Sequence, residues 1–169
     1  SAGSTTQGEV CGASGTTKKP QIRHTARTSH ALLSKSKPAA AAYVALKDPD
    51  WASQQKWGGM VGKIVSDIAT AERGRADFPF LRNFDPYEGH SWASGDANFD
   101  AGNNQESSSE AVNAWAGLML WGEATGDQNL RDLGAFLYTS EIASINQYWF
   151  DLDKQVLAPE YGKPFASMV

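Results

Sequence analysis

Apolar residues recur at three- and four-residue intervals from residue 38 onward, and no run of useful length alternates with the two-residue period of a half-buried strand. Pro38 opens AAAAYVALK, a run of strong helix formers that Asp48-Pro49 stops, which predicts a first helix. Trp57, Met60, Val61, Ile64, Val65 and Ile68 mark one face of a second helix, expected over about residues 50–73; Gly58, Gly59 and Gly62 weaken it and invite a close neighbour. Residues 74–105, rich in Gly, Pro, Asn and Asp, read as a long irregular segment. A third helix is expected from about Glu106 to Ala124 and a fourth from about Asp127 to Tyr148. The junction Thr125-Gly126-Asp127 is a short turn in which Gly ends one helix and Asp caps the next. Beyond Phe150 the chain reads as Pro-containing loop. The predicted fold class is all-α, built of antiparallel helical hairpins that carry long loops.

Residues 1–37 depart from this pattern. No Phe, Tyr or Trp precedes Tyr43, and Lys18, Lys19, Arg23, Arg27, Lys35 and Lys37 stand against Glu9 in a background of Ser, Thr and Gly. Such a segment buries too little apolar surface to offset its ordering entropy, so it is expected to be disordered. It also lacks the apolar stretch of a secretory signal. The domain division that follows is residues 1–37 apart from a folded part over 38–169.

Composition narrows the function classes. The 169 residues carry Lys+Arg 15 against Asp+Glu 19, a net charge of -4, which argues against nucleic acid as a partner. No apolar run is long enough to span a membrane. Cys11 stands alone, and His24, His30 and His90 are scattered without i,i+4 pairing, so no metal or other cofactor is expected. Nothing in the pattern specifies an oligomer. Aromatics are plentiful, with 6 Trp, 5 Tyr and 7 Phe. Within residues 77–110, Phe78, Phe80, Phe84, Tyr87, Trp92 and Phe99 interleave with Asp77, Asp85, Glu88, Asp96, Asp100, Glu106 and Glu110, against the single cation Arg82. Ring faces packing on sugar rings, with carboxylates and amides taking hydroxyls, suit a neutral polyhydroxylated substrate. Each residue also fits a structural role, acids capping turns and Phe side chains anchoring the loop. A loop this long inside a compact domain favours function for the cluster as a whole.

The sharpest local feature is GNNQESSSEAVNAW. Placed at a helix start, Glu106 and Glu110 are four residues apart and are expected on one face, which Asn113 and Gly117 continue. Val112, Trp115, Leu118 and Met119 form the expected core face. Like charges at this spacing repel, although an acidic face at a helix N-terminus is also favoured by the helix dipole. The amide-rich approach through Asn103, Asn104 and Gln105 tips the balance toward a site.

DPDW, then FPFLRNFDPYEGHSWASG, then GNNQESSSEAVNAWAGLMLWGEATGD resemble, in order and spacing, the catalytic domain of family 81 glycoside hydrolases, the endo-β-1,3-glucanases, over roughly residues 39–169. The resemblance implies a fragment of an (α/α)6 barrel, an inverting hydrolase of internal bonds in β-1,3-glucan, and an extracellular or cell-wall location. It makes Glu106 the general base, places Glu110 in the same site, and points to His90, Trp92, Asn104 and Gln105 along the glucan cleft. Asp85, Tyr87 and Asn113 join them as candidate substrate contacts. Two glutamates on one helical face cannot flank a sugar from both sides. Glu110 is therefore expected to orient the water or hold Glu106, and the acid to come from another element.

The family's acid, an Asp in a His- and Tyr-rich motif, falls where this chain has Ser29 and His30. Residues 1–37 are accordingly read as non-native to the family, through a reading-frame error, a faulty gene model or a fusion junction. Asp85 is the one carboxylate considered as a replacement acid. The alternative function is a catalytically inactive fragment that at most binds glucan weakly, and the isolated chain is expected to be inactive.

Overall fold

The computed structural model describes residues 37–93 and 104–166. The expectations for residues 1–36, Ser29 and His30 included, and those for Asp96, Phe99, Asp100 and Asn103 lie outside the described residues. The described part is mostly helical, as the spacing predicts. Its α-helices are α1 (Lys37–Lys47), α2 (Gly58–Ala69), α3 (Ser108–Thr125) and α4 (Gln128–Ser144), the last running on into a π-helical turn, Ile145–Trp149.

Helix α1 buries Pro38, Ala41, Ala42 and Ala45, a stripe of small side chains at helical spacing that lets it lie close to α3. Gly117 of α3 sits at that approach: a Cβ there would stand 3.0 Å from the Ala39 nitrogen. Gly117 is therefore a packing position and not, as expected, a continuation of an open acidic face. The second helix is shorter than its apolar spacing predicts, because residues 48–57 wind through successive turns first. Val61, Val65, Ile68 and Ala69 of α2 are buried, whereas Trp57 and Met60 of the same predicted face are exposed.

The α3–α4 hairpin matches its sequence signals. Gly126 ends α3 in the left-handed region at φ 74°, and the Asp127 carboxylate accepts the Leu130 N–H at 3.0 Å to cap α4. On α3 the buried residues are Ala111, Ala114, Trp115, Gly117, Leu118 and Trp121, with Gly122. Val112 and Met119, assigned to the core face, are only partly buried, because the helix turns its small residues toward α1. Trp115, Leu118, Ile68 and Leu137 are fully enclosed, and Phe84 from the intervening loop meets Trp115 edge-on at 6.2 Å. A loop residue thus belongs to the same core as the helices, which fixes the segment that carries the candidate chemistry.

Candidate active site

The segment read as irregular contains order too short to show in a sequence pattern. Strands β1 (Phe84–Asp85) and β2 (His90–Ser91) pair antiparallel, Phe84 opposite Ser91 and Asp85 opposite His90. Asn83 extends the ladder: its carbonyl accepts the Trp92 N–H at 2.8 Å and its side-chain amide donates to the Trp92 carbonyl at 3.0 Å. On the other edge, Trp92 bridges Gln105, the Ala93 N–H donates to the Asn104 carbonyl at 2.8 Å, and the Glu106 N–H donates to the Ser91 carbonyl at 3.0 Å. Residues 83–85, 90–93 and 104–106 therefore lie side by side. This ribbon gathers Asp85, His90, Trp92, Asn104, Gln105 and Glu106 from a stretch that the sequence could only describe as acidic and aromatic.

The turn between the strands is closed by Asp85, whose Oδ1 accepts the Tyr87 N–H at 2.9 Å and the Glu88 N–H at 3.4 Å. Gly89 completes it at φ 74°, with the Ser144 Oγ only 2.7 Å from where a Cβ would be, so both conformation and space require glycine. Ser144 of α4 donates to the Gly89 carbonyl at 2.9 Å and ties the turn down.

Burial pushes the Asp85 carboxyl up, but the Tyr87 and Glu88 amides, the Trp92 indole N–H and the nearby His90 together hold it below the ordinary aspartate value. A general acid must carry a proton at working pH, and a lowered value favours the ionised form of Asp85. A depressed folded value means the turn's stabilisation is present above the ordinary aspartate range and is lost as pH falls through the folded value. Protection of the Tyr87 amide from hydrogen exchange, relative to its intrinsic rate at each pH, is thus expected to persist above the ordinary aspartate range and to be lost as Asp85 is protonated. Fast exchange already at neutral pH would show that the carboxylate does not hold the turn.

Two grooves flank the ribbon. One, of about 440 Å³, is lined by Phe80, Arg82, Asp85, Pro86, Tyr87 and Trp92, among others. The other, of about 310 Å³, is lined by Ser107, Ser108 and Ser109 with Ile145, Trp149, Phe150 and Phe165. Arg82, the single cation of the acidic segment, pairs at 2.6 Å with Asp67 of α2, which anchors the first groove to the helices. A larger space of about 710 Å³ beside α2 and the α3–α4 turn is lined by none of the candidate catalytic or substrate-binding residues.

Glu106 does not stand in the first turn of α3. The helix begins at Ser108, and Glu106 precedes it in the ribbon, 3% exposed, with Oε1 accepting the Ser107 N–H at 2.9 Å. Glu110 lies in the first turn and is exposed, as is Asn113 one turn on. The two glutamates thus do not share one helical face; the chain bends between them.

Residues 39–163 match the glycosyl hydrolase family 81 C-terminal domain. The chain belongs to glycoside hydrolase family 81. It is 61% identical over 130 residues to a glucan endo-1,3-beta-D-glucosidase of Acetivibrio thermocellus, covering 77% of this chain and 17% of that protein. A glucan endo-1,3-beta-D-glucosidase of Thermobifida fusca is 43% identical over 130 residues, with the same coverage of 77% and 17%. The primary septum glucan endo-1,3-beta-D-glucosidase of Schizosaccharomyces pombe is 34% identical over 116 residues, 69% of this chain and 11% of that protein. A solved structure of the family 81 glycoside hydrolase of Clostridium thermocellum superposes with a TM-score of 0.76 at 56% identity, over 83% of this chain and 20% of that one. The chain spans less than a fifth of the length of these curated relatives.

Within this family 81 segment the predicted site residues separate into layers. Tyr87 is 92% exposed, and Asn104 is exposed beside half-buried Gln105 and Trp92. His90, expected along the cleft, is buried at 5% exposure, its ring 4.7 Å from Trp92 and 5.3 Å from Trp149, with Tyr148 at 6.0 Å. It packs among these three rings. Sequence reasoning passed over Ser91, Asn83 and Glu141, which hold the ribbon in place. For Glu141 a signal existed: it lies on the stripe Gly134, Leu137, Glu141 and Ser144, the buried face of α4, where an apolar residue would be expected.

Proposed function

We propose that this chain is part of the catalytic domain of an endo-β-1,3-glucanase that cleaves internal bonds with inversion, and that Glu106 is its general base. One observation carries the reading: Glu106 links Gln105, which bridges Trp92 of one aromatic-lined groove, to Ser107, which lines the other. A base carried on the segment that joins the linings of two such grooves suits a polymer lying across both. Near-complete burial suits a base that needs contact with one water only, and a site screened from bulk solvent strengthens that contact.

Tyr87 and Trp92 offer ring faces to glucosyl units, while Asn104 and Gln105 offer amides to their hydroxyls. Glu110 and Asn113, exposed on the first turns of α3, orient the attacking water or a neighbouring sugar. His90 supports Trp92 by packing against it, and Asp85 faces the substrate with the lone pairs its turn leaves over. Inversion needs an acid about 6.5–9.5 Å from the base, and no metal or organic cofactor enters this chemistry. The acid would come from an element outside residues 38–169. A polymeric glucan substrate goes with an extracellular or cell-wall setting, as the name of the septum enzyme of Schizosaccharomyces pombe suggests. The second reading, an inactive fragment with at most weak glucan binding, draws on Ser29 and His30 at the position of the family's acid.

The test separates the segment from its flanks. Residues 39–163, seated between the flanks of the Acetivibrio thermocellus relative, are expected to hydrolyse laminarin and to release the α-anomer first, seen by proton NMR. The 169-residue chain alone is expected to release no reducing sugar. A folded chimera without turnover would refute the proposal in favour of the second reading.

A further inference from the structure

Glu141 is a carboxylate in the hydrophobic core. It is 1% exposed, and among the described residues no cation pairs with it. Burying a charge is costly, and an apolar side chain of similar volume would pack the α4 stripe more favourably. Its partners account for its presence. Oε1 accepts the Ser91 N–H at 3.1 Å, and Oε2 accepts the Ser91 hydroxyl at 2.7 Å and the Trp115 indole N–H at 3.1 Å. Three donors converge on one carboxylate from β2 and α3, and it in turn belongs to α4. The Ser91 carbonyl, on the far side of the same residue, accepts the Glu106 N–H at 3.0 Å.

We infer that Glu141 is a positioning residue: through Ser91 it sets the depth and orientation at which Glu106 is presented to the substrate. This rests on the proposed role of Glu106 as base. The chain of contacts is short and directional. Glu141 immobilises Ser91 by both its backbone and its hydroxyl, and Ser91 immobilises the backbone of Glu106. Its third bond, to Trp115, keeps α3, which carries Glu110, in register with the same ribbon. Ser144, one turn further along α4, grips the Gly89 carbonyl, so the face of α4 holds the hairpin at two points. An amide cannot replace the carboxylate here. Glutamine keeps one acceptor and presents an NH2 in the other place, which then meets either the Ser91 N–H or the Trp115 N–H, donor against donor.

The experiment uses the full-length chimera with the Acetivibrio thermocellus flanks, laminarin as substrate, and thermal unfolding as a check that each variant is folded. Glu141→Gln is expected to lower kcat by about 10²-fold while KM stays within about twofold, the size of effect that a misplaced reacting group produces. Ser91→Ala, which removes only the hydroxyl link, is expected to lower kcat less, by about 10-fold. The decisive arm places Glu141→Gln in a Glu106→Gln background. With no base left to position, it is expected to change the residual rate by less than about twofold, since residues acting as a unit are not additive. A full, additive loss in that background, or a rise in KM with kcat unchanged, would reduce Glu141 to a structural role and overturn the inference. If Glu106→Gln alone leaves turnover intact, the base assignment fails, and the positioning role fails with it. That outcome is distinct from a slow Glu106→Gln beside an unaffected Glu141→Gln, which overturns the positioning role alone.

Discussion

Replacing Glu106 by Gln in the chimera is expected to lower kcat on laminarin by about 10²–10⁴-fold, the contribution of a positioned general base. The amide keeps the size of the side chain and its contact with the Ser107 N–H, which lies 2.9 Å from Oε1. The oxygen that would take a proton from water is lost. KM is expected to hold within about threefold, because the sugar contacts proposed for Tyr87, Trp92, Asn104 and Gln105 are untouched, and loss in kcat alone marks an interaction made in the transition state. Initial-rate measurements of reducing-sugar release, with laminarin above and below KM, give both constants. Turnover within about tenfold of the parent would remove Glu106 from the role of base, since a general base contributes more than that.

Trp115→Ala is expected to lower stability by about 3–5 kcal/mol, a large share of the total for an ordinary domain. The indole is fully enclosed, meets Phe84 edge-on at 6.2 Å, and donates to the Glu141 carboxylate at 3.1 Å. Truncation therefore empties the core beneath the ribbon and strips a donor from a buried charge in one step. Trp115→Phe separates the two effects. It keeps an aromatic ring but removes the N–H, at a cost of about 1.5–3 kcal/mol for a hydrogen bond to a charged group. Denaturant unfolding of both variants measures each cost; a Trp115→Ala loss of under about 1 kcal/mol would contradict the packing described for this core.

The helical part of the fold was legible because its signals are local. Pro38 and Asp48-Pro49 bracket α1, and Gly126 with Asp127 punctuates the α3–α4 hairpin, each by backbone chemistry that needs no distant partner. The motifs quoted for family 81 were legible for the same reason, as residue order and spacing, and residues 39–163 match that family's C-terminal domain. Periodicity misled where tertiary contacts overrode it. Residues 50–57 have helix-compatible spacing but turn, and Glu106 looks like a first-turn residue but is drawn into the ribbon by its N–H bond to Ser91.

By itself, then, the sequence determined which residue types are available, where helices start and stop, and which family the segment resembles. Only the tertiary structure decided that two-residue strands pair, that Gly117 is a contact and not part of an open face, and that Glu106 and Glu110 part company at the start of α3. It also placed Glu141, fifty residues beyond Ser91 in the chain, against both its N–H and its hydroxyl. The reason is physical: helix propensity and capping act within a few residues and leave a periodic trace. A buried carboxylate that gathers donors from two other elements leaves only a polar letter on an apolar stripe, and its meaning appears once those elements are packed together.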